Sequence, residues 1–171
     1  YSLSMLYYAE KRILEFFQRR KDEKNRKIIA TFDEYLIKKQ ETLGFELSPE
    51  QKKAVELINN GDKTLFLIGY AGTGKSTSSR AILELLEETM SYDDIMTIAL
   101  SGIASQRIAD TTGYNSSTIQ SLLMKHKEKD FFPYKAILLD EASMVNSVTF
   151  YQIISKIDDD TIFIIVGDDG Q

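Results

Sequence analysis

Gly69-Tyr70-Ala71-Gly72-Thr73-Gly74-Lys75-Ser76 follows the apolar run Leu65-Phe66-Leu67-Ile68 and opens a helical stretch. It matches G-x-x-x-x-G-K-[ST], and the spacing has a mechanical reason. The glycines let the loop wrap so that successive backbone N–H groups turn inward onto phosphate oxygens. The helix behind the loop points its positive N-terminus at the same anion. Lys75 then reaches the β- and γ-phosphates, and Ser76 offers its hydroxyl to Mg²⁺. The plain alternative is a Gly-rich turn with no ligand. The strand before the loop and the helix after it favour the phosphate reading.

Working outward, short apolar runs recur at 64–68, 95–100, 136–139 and 161–166. They are rich in Ile, Leu and Phe and show little polar alternation, as strands covered on both faces do. Helical stretches separate them at about 75–90, 102–111 and 146–157. The alternation of strand and helix predicts an α/β fold with a mostly parallel sheet. Ahead of it, residues 5–20 and 28–43 carry apolar side chains at helical spacing, and Gly44 is the expected stop. Between them the charge run 19–27 reads as a solvated helix end, with a phosphate-contacting patch as the sharper alternative. Ser48-Pro49-Glu50-Gln51 is a helix start. Ser48 suits the N-cap, Pro49 the first turn, and Gln51 the reciprocal position of a capping box. That helix is expected to run to Asn60, with Gly61 closing it.

A second chemical feature ends the 136–139 strand, at Asp140-Glu141. The carboxyl edge of an open α/β sheet is where ligands bind. Asp140 can hold Mg²⁺ there, and Glu141 can orient and deprotonate a water aimed at a γ-phosphate. Gly167-Asp168-Asp169-Gly170-Gln171 follows the last strand and reads either as a polar turn or as a loop that sets Gln171 beside the γ-phosphate. Asp110-Thr111-Thr112-Gly113 fits D-x-x-G but ends a helical run, so Gly113 reads as a helix stop. His126, between Lys125 and Lys127, is expected at the surface.

Composition narrows the classes further. The chain has 171 residues, no cysteine and one histidine, which excludes disulfide frameworks, thiolate metal sites and multi-histidine centres. No apolar run approaches the length of a membrane span, and a soluble, cytoplasmic protein is the expectation. Net charge is −5, with residues 1–60 at +2 and the remainder at −7. Any nucleic-acid contact is therefore local.

In their order these pieces resemble the first RecA-like domain of superfamily 1B DNA helicases, in the RecD-like (exodeoxyribonuclease V alpha subunit) branch. The loop version GYAGTGK is also similar to that of conjugative relaxase helicases. Residues 47–55 resemble the Q-motif, 69–77 motif I, 99–108 motif Ia, 118–123 motif Ib, 140–145 motif II and 167–171 motif III. The resemblance implies a three-layer RecA-like α/β domain over residues 47–171, preceded by a helical lead-in segment at 1–46. It implies ATP and Mg²⁺ held by Gly69, Ala71, Gly72, Thr73, Gly74, Lys75, Ser76 and Thr77, with Asp140 on the metal. Catalytic roles fall on Lys75, Glu141 and Gln171. Gln51 would read adenine, in competition with its capping role. Ser101, Gly102, Thr118 and Gln120 would face single-stranded DNA, with Arg107 the main basic residue available on that side. Motif Ia departs from the usual A-P-T-G-R-A-A at Leu100, Ser101 and Ile103, and motif Ib from T-I-H at Gln120. The implied activity is ATP-driven 5′ to 3′ movement on DNA, in a longer parent with a second RecA-like domain and other recombination subunits as partners. The chain starts without Met and stops at Gln171, so it is expected to be a fragment that is nearly inactive alone. The family's strand order puts 64–68 and 136–139 on either side of 161–166, with 95–100 outermost.

Overall fold

The computed structural model describes residues 2–44, 46–69 and 74–168. In chain order the helices are α1 (Leu3–Arg20), α2 (Phe32–Leu43), α3 (Pro49–Asn59), α4 (Lys75–Leu86), α5 (Gly102–Thr112), α6 (Ile119–Lys125) and α7 (Ser147–Ile154). The strands are β1 (Thr64–Gly69), β2 (Ile95–Ala99), β3 (Ser116–Thr118), β4 (Ala136–Leu139) and β5 (Ile162–Asp168). They form one sheet in the order β1-β5-β4-β2-β3, and every described pairing is parallel.

The apolar runs explain the layers. All four residues of β4 are fully buried, because alternate side chains enter opposite cores. Leu138 joins Leu65, Ile164 and Val166 in a core closed by α3 and α4, with Phe32 and Leu36 of α2. Ile137 and Leu139 join Phe163, Ile165 and Ile153 in a second core that receives Phe16 of α1. The rings of Phe16 and Phe163 meet edge-on at 6.2 Å, and Phe17 lies 5.1 Å from Phe66. Each fully buried Leu, Ile or Phe contributes about 1.5–3 kcal/mol relative to exposure.

The expected neighbours of β5 are those observed, but 95–100 is not outermost. The three-residue β3 pairs beyond β2, with Ala99 opposite Thr118. Ser-Ser-Thr carries no apolar signal, and α6 behind it is only seven residues long. Residues 28–31 precede α2 rather than joining it, and α4 stops at Leu86. The helix starts and stops fare better. Ser48 and Gln51 form the capping box, and Gly44 and Gly113 close their helices at φ 81° and 80°. Helix α3 ends at Asn59, one residue early, and Gly61 follows at φ 103°. A Cβ there would lie 2.1 Å from the Asn25 oxygen, so only glycine fits.

Two polar residues overturn their expected exposure. Arg20, in the supposed solvated charge run, is 1% exposed. Its guanidinium donates to Thr64 Oγ1 at 2.9 Å and to the carbonyls of Lys63 (3.1 Å), Asp158 (3.1 Å) and Thr161. The planar fork thus ties α1 to the first residues of β1 and to the turn before β5. His126 is also buried, edge-on to Phe132 and Tyr134, and neither ring nitrogen has a hydrogen-bond partner. Charge spacing in the sequence reports neither fact, since Arg20 is buried by carbonyls distant in the chain and His126 by the way Phe132 and Tyr134 fold back onto it.

Candidate nucleotide site

Strand β1 delivers the chain to Gly69 at the carboxyl edge of the sheet, and α4 begins again at Lys75. Tyr70, Ala71, Gly72 and Thr73 lie outside the described residues, as do Asp169, Gly170 and Gln171. Gly74 caps α4 with φ 82°, a left-handed conformation that favours glycine. A Cβ on Gly74 would sit 2.3 Å from Gln51 Nε2. Gln51 serves two elements at once. Its Oε1 accepts from the Ser48 N–H at 2.7 Å, and its Nε2 donates to the Gly74 carbonyl at 3.1 Å.

Lys75 sits on the first turn of α4, and its Nζ donates to the Gly167 carbonyl at 3.1 Å. This bond crosses from the P-loop helix to the end of β5, next to β1 in the sheet. Ser76 is exposed and Thr77 half-buried, one residue further along the same turn. On the far side of β5, Asp140 ends β4, and its N–H donates to the Ile98 carbonyl at 2.9 Å, one residue past the ladder. Burial pushes the Asp140 carboxyl above the ordinary carboxylate range, against the Glu141 backbone N–H, which lowers it; the Glu141 charge adds to the rise, and Lys75 and Arg107 pull it down. Glu141 has φ 52° and leads into a 3₁₀ turn at Ala142–Met144. It is the one non-glycine with positive φ among the described residues.

Lys75, Ser76, Asp140 and Glu141 face one cavity of about 210 Å³, and Gln51 and Thr77 are not in its lining. Lys75, Ser76, Arg107, Asp140, Glu141 and Val166 are among its lining residues. The hydroxyl of Ser76 and the partly buried carboxylate of Asp140 are hard oxygen donors, the pair a Mg²⁺ ion uses together with phosphate oxygens. The raised Asp140 pKa fits that role, because a bound cation would offset the cost of its buried charge.

The DNA candidates stand apart from this cavity, at the ends of β2 and β3. Ser101 caps α5 by accepting from the Ala104 N–H at 3.1 Å, and Gly102 follows it, exposed. Thr118 caps α6 by accepting from the Ser121 N–H at 3.2 Å, and Gln120 is exposed on the next turn. The register of Ala99 against Thr118 brings both caps to one edge. Arg107, expected on this side, is turned to Glu141 instead, with Nη1 donating to Oε1 at 3.3 Å. An arginine two turns into a helix gives no sequence sign of which acid it meets.

Residues 46–171 match the family described as AAA domain. The chain belongs to that family. Its motifs and relatives make this AAA domain similar to RecD-like motor domains of superfamily 1B helicases. It is 28% identical over 145 residues to the "ATP-dependent RecD2 DNA helicase" of Deinococcus radiodurans, covering 81% of this chain and 20% of that protein. The chain therefore spans about a fifth of that relative's length. Among solved structures, the UvsW helicase from Bacteriophage T4 superposes with a TM-score of 0.64 at 18% identity, over 94% of this chain and 70% of that one. Bacteroides Pif1 bound to ssDNA gives a TM-score of 0.51 at 23% identity, over 71% and 32%. These likenesses bear out the RecA-like α/β fold of the AAA domain. No helix among the described residues is long and apolar enough to cross a membrane.

Proposed function

We propose that this AAA domain binds ATP with Mg²⁺ and, with a second RecA-like domain, couples hydrolysis to 5′ to 3′ movement along single-stranded DNA. One observation carries the reading. Lys75 and Ser76, and Asp140 and Glu141, come from two separate stretches of chain and line a single cavity at the carboxyl edge of the sheet.

Each residue has work suited to its chemistry. The Lys75 ammonium neutralises charge on the β- and γ-phosphates, and the α4 N-terminus adds its dipole. Ser76 and Asp140 hold Mg²⁺, which supplies further charge neutralisation when bound. Glu141 accepts a proton from the attacking water. Gln51 stands at the mouth of the loop, where a carboxamide can bond the adenine edge. Gln171 completes the site as the γ-phosphate sensor. Ser101, Gly102, Thr118 and Gln120 contact the DNA backbone through hydroxyls, amides and helix N-termini. Residues 47–171 form the motor core and residues 1–46 its lead-in. The RecD-like resemblance extends the proposal to DNA repair and recombination in the cytoplasm, beside other subunits of that machinery. An arginine supplied by a second domain is worth about 10³–10⁵ in rate, so residues 1–171 alone bind nucleotide but turn it over very slowly.

The test is ATP hydrolysis by the whole protein that carries this domain. Single-stranded DNA should stimulate it, and the protein should displace a block from the 3′ end of the strand but not from the 5′ end. Hydrolysis indifferent to DNA, with phosphate passed to a small acceptor, would make it a phosphotransferase. Tight ATP binding without turnover would make it a nucleotide-gated binding module.

A further inference from the structure

Glu141 is held by its backbone but not by its own torsions. The turn behind it is closed by bonds from the Met144 N–H to the Glu141 carbonyl (3.0 Å) and from the Val145 N–H to the Ala142 carbonyl (3.1 Å). With φ at 52°, this turn fixes where the Glu141 side chain leaves the chain. Its carboxylate is still three rotatable bonds away, and a general base must sit within hydrogen-bond reach of its water. The missing restraint comes from α5. Ala104 and Ile108 are 3% and 4% exposed and anchor that helix to the domain, so the Arg107 backbone is fixed. From there Nη1 of Arg107 donates to Oε1 of Glu141 at 3.3 Å. The other carboxylate oxygen, Oε2, meets no donor among the described residues and is the one assigned to water. An ion pair this exposed adds little to stability, and it borders the same cavity as Lys75, Ser76 and Asp140.

We propose that Arg107 is a positioning residue that holds the Glu141 carboxylate in line for water activation, an inference that rests on reading Glu141 as the general base. In that step Oε2 of Glu141 takes a proton from water. The water oxygen bonds to the γ-phosphorus as the bond to the bridging oxygen breaks, and ADP leaves with the electron pair. In this role Arg107 acts by narrowing the orientations of the carboxylate.

Two measurements on Arg107→Ala test this. Crystals of the 171-residue chain should show the Glu141 carboxylate in one orientation in the unsubstituted protein and spread over several in the variant. In the whole protein, kcat with single-stranded DNA should fall about 10–100-fold, within the range that misplacing a catalytic group costs. KM for ATP should stay within about threefold. Arg107→Lys should recover part of the rate, since an ammonium can still pair with one oxygen. Glu141→Gln is the control for the underlying reading. A Glu141→Gln protein at full rate sinks the general-base role itself. If Glu141→Gln is dead while Arg107→Ala keeps or raises kcat, or leaves the carboxylate equally ordered, only the positioning role of Arg107 is overturned.

Discussion

The side-chain amide of Gln51 joins the start of α3 to the end of the P-loop, accepting from Ser48 and donating to Gly74 over 2.7 and 3.1 Å. Capping and nucleotide recognition were competing readings of this residue from sequence. In the structure both ends of the amide are engaged, Oε1 by the Ser48 N–H and Nε2 by the Gly74 carbonyl. To read adenine, Nε2 exchanges Gly74 for N7 and Oε1 exchanges Ser48 for the N6 amino group, because only the N6 contact tells adenine from guanine. Gln51→Ala should therefore cost about 0.5–2 kcal/mol of stability, as lost caps do, and also erase the preference for ATP over GTP. Urea unfolding and nucleotide competition on the same variant measure both. A stability loss with selectivity intact would reduce Gln51 to a structural cap.

Arg20 gives a prediction about the lead-in helix. Its donors meet carbonyls at the base of β1 and β5, so Arg20→Ala removes those bonds and takes the Arg20 donor from the buried Thr161 carbonyl, while the Lys63 and Asp158 carbonyls keep the Phe163 and Thr161 N–H groups. The expected loss is about 3 kcal/mol, the scale of one or two unsatisfied buried groups. Arg20→Lys should recover little of it, because an ammonium cannot reproduce the planar fork. Chemical unfolding of both variants is the check, and a loss below about 0.5 kcal/mol would mean that α1 is only loosely attached.

His126 makes acid stability a local property. Burial lowers its pKa, reinforced by Lys129, Lys125 and Lys156. The folded state therefore resists protonation while the unfolded chain accepts it near the ordinary histidine value of about 6.5. Between those two values the unfolded state binds more protons, so stability falls as pH drops below about 6.5. His126→Phe keeps the aromatic contacts and removes the titration. The difference in stability between pH 7 and pH 5 should shrink in this variant, measured by thermal unfolding across that range. An unchanged difference would mean the ring is protonated in the folded protein without penalty.

How far the sequence could be read follows from the reach of each signal. The strand–loop–helix at Lys75 and the β4 run ending in Asp140 are local patterns, and their neighbourhood in the sheet follows from the strand order of the fold. Ser48, Gly44 and Gly113 were legible because a cap is a contact within a few residues. Strand β3 escaped because Ser116, Ser117 and Thr118 are polar and few, and they pair only because β2 presents an edge. Arg20 escaped because its acceptors lie far along the chain, and His126 because no local pattern marks the fold-back of Phe132 and Tyr134 onto its ring. The left-handed backbone at Glu141 has no signature either, since glutamate seldom adopts it.

Whether Lys75, Ser76 and Asp140 form a site for ATP with Mg²⁺ is read by calorimetric titration of the 171-residue chain. Unsubstituted protein should bind Mg·ATP, and Lys75→Ala should lose at least about tenfold in affinity, since a charge-assisted phosphate contact is worth more than 1.4 kcal/mol. Equal affinity in the two proteins, with both folded, would mean that Lys75 does not hold the phosphates.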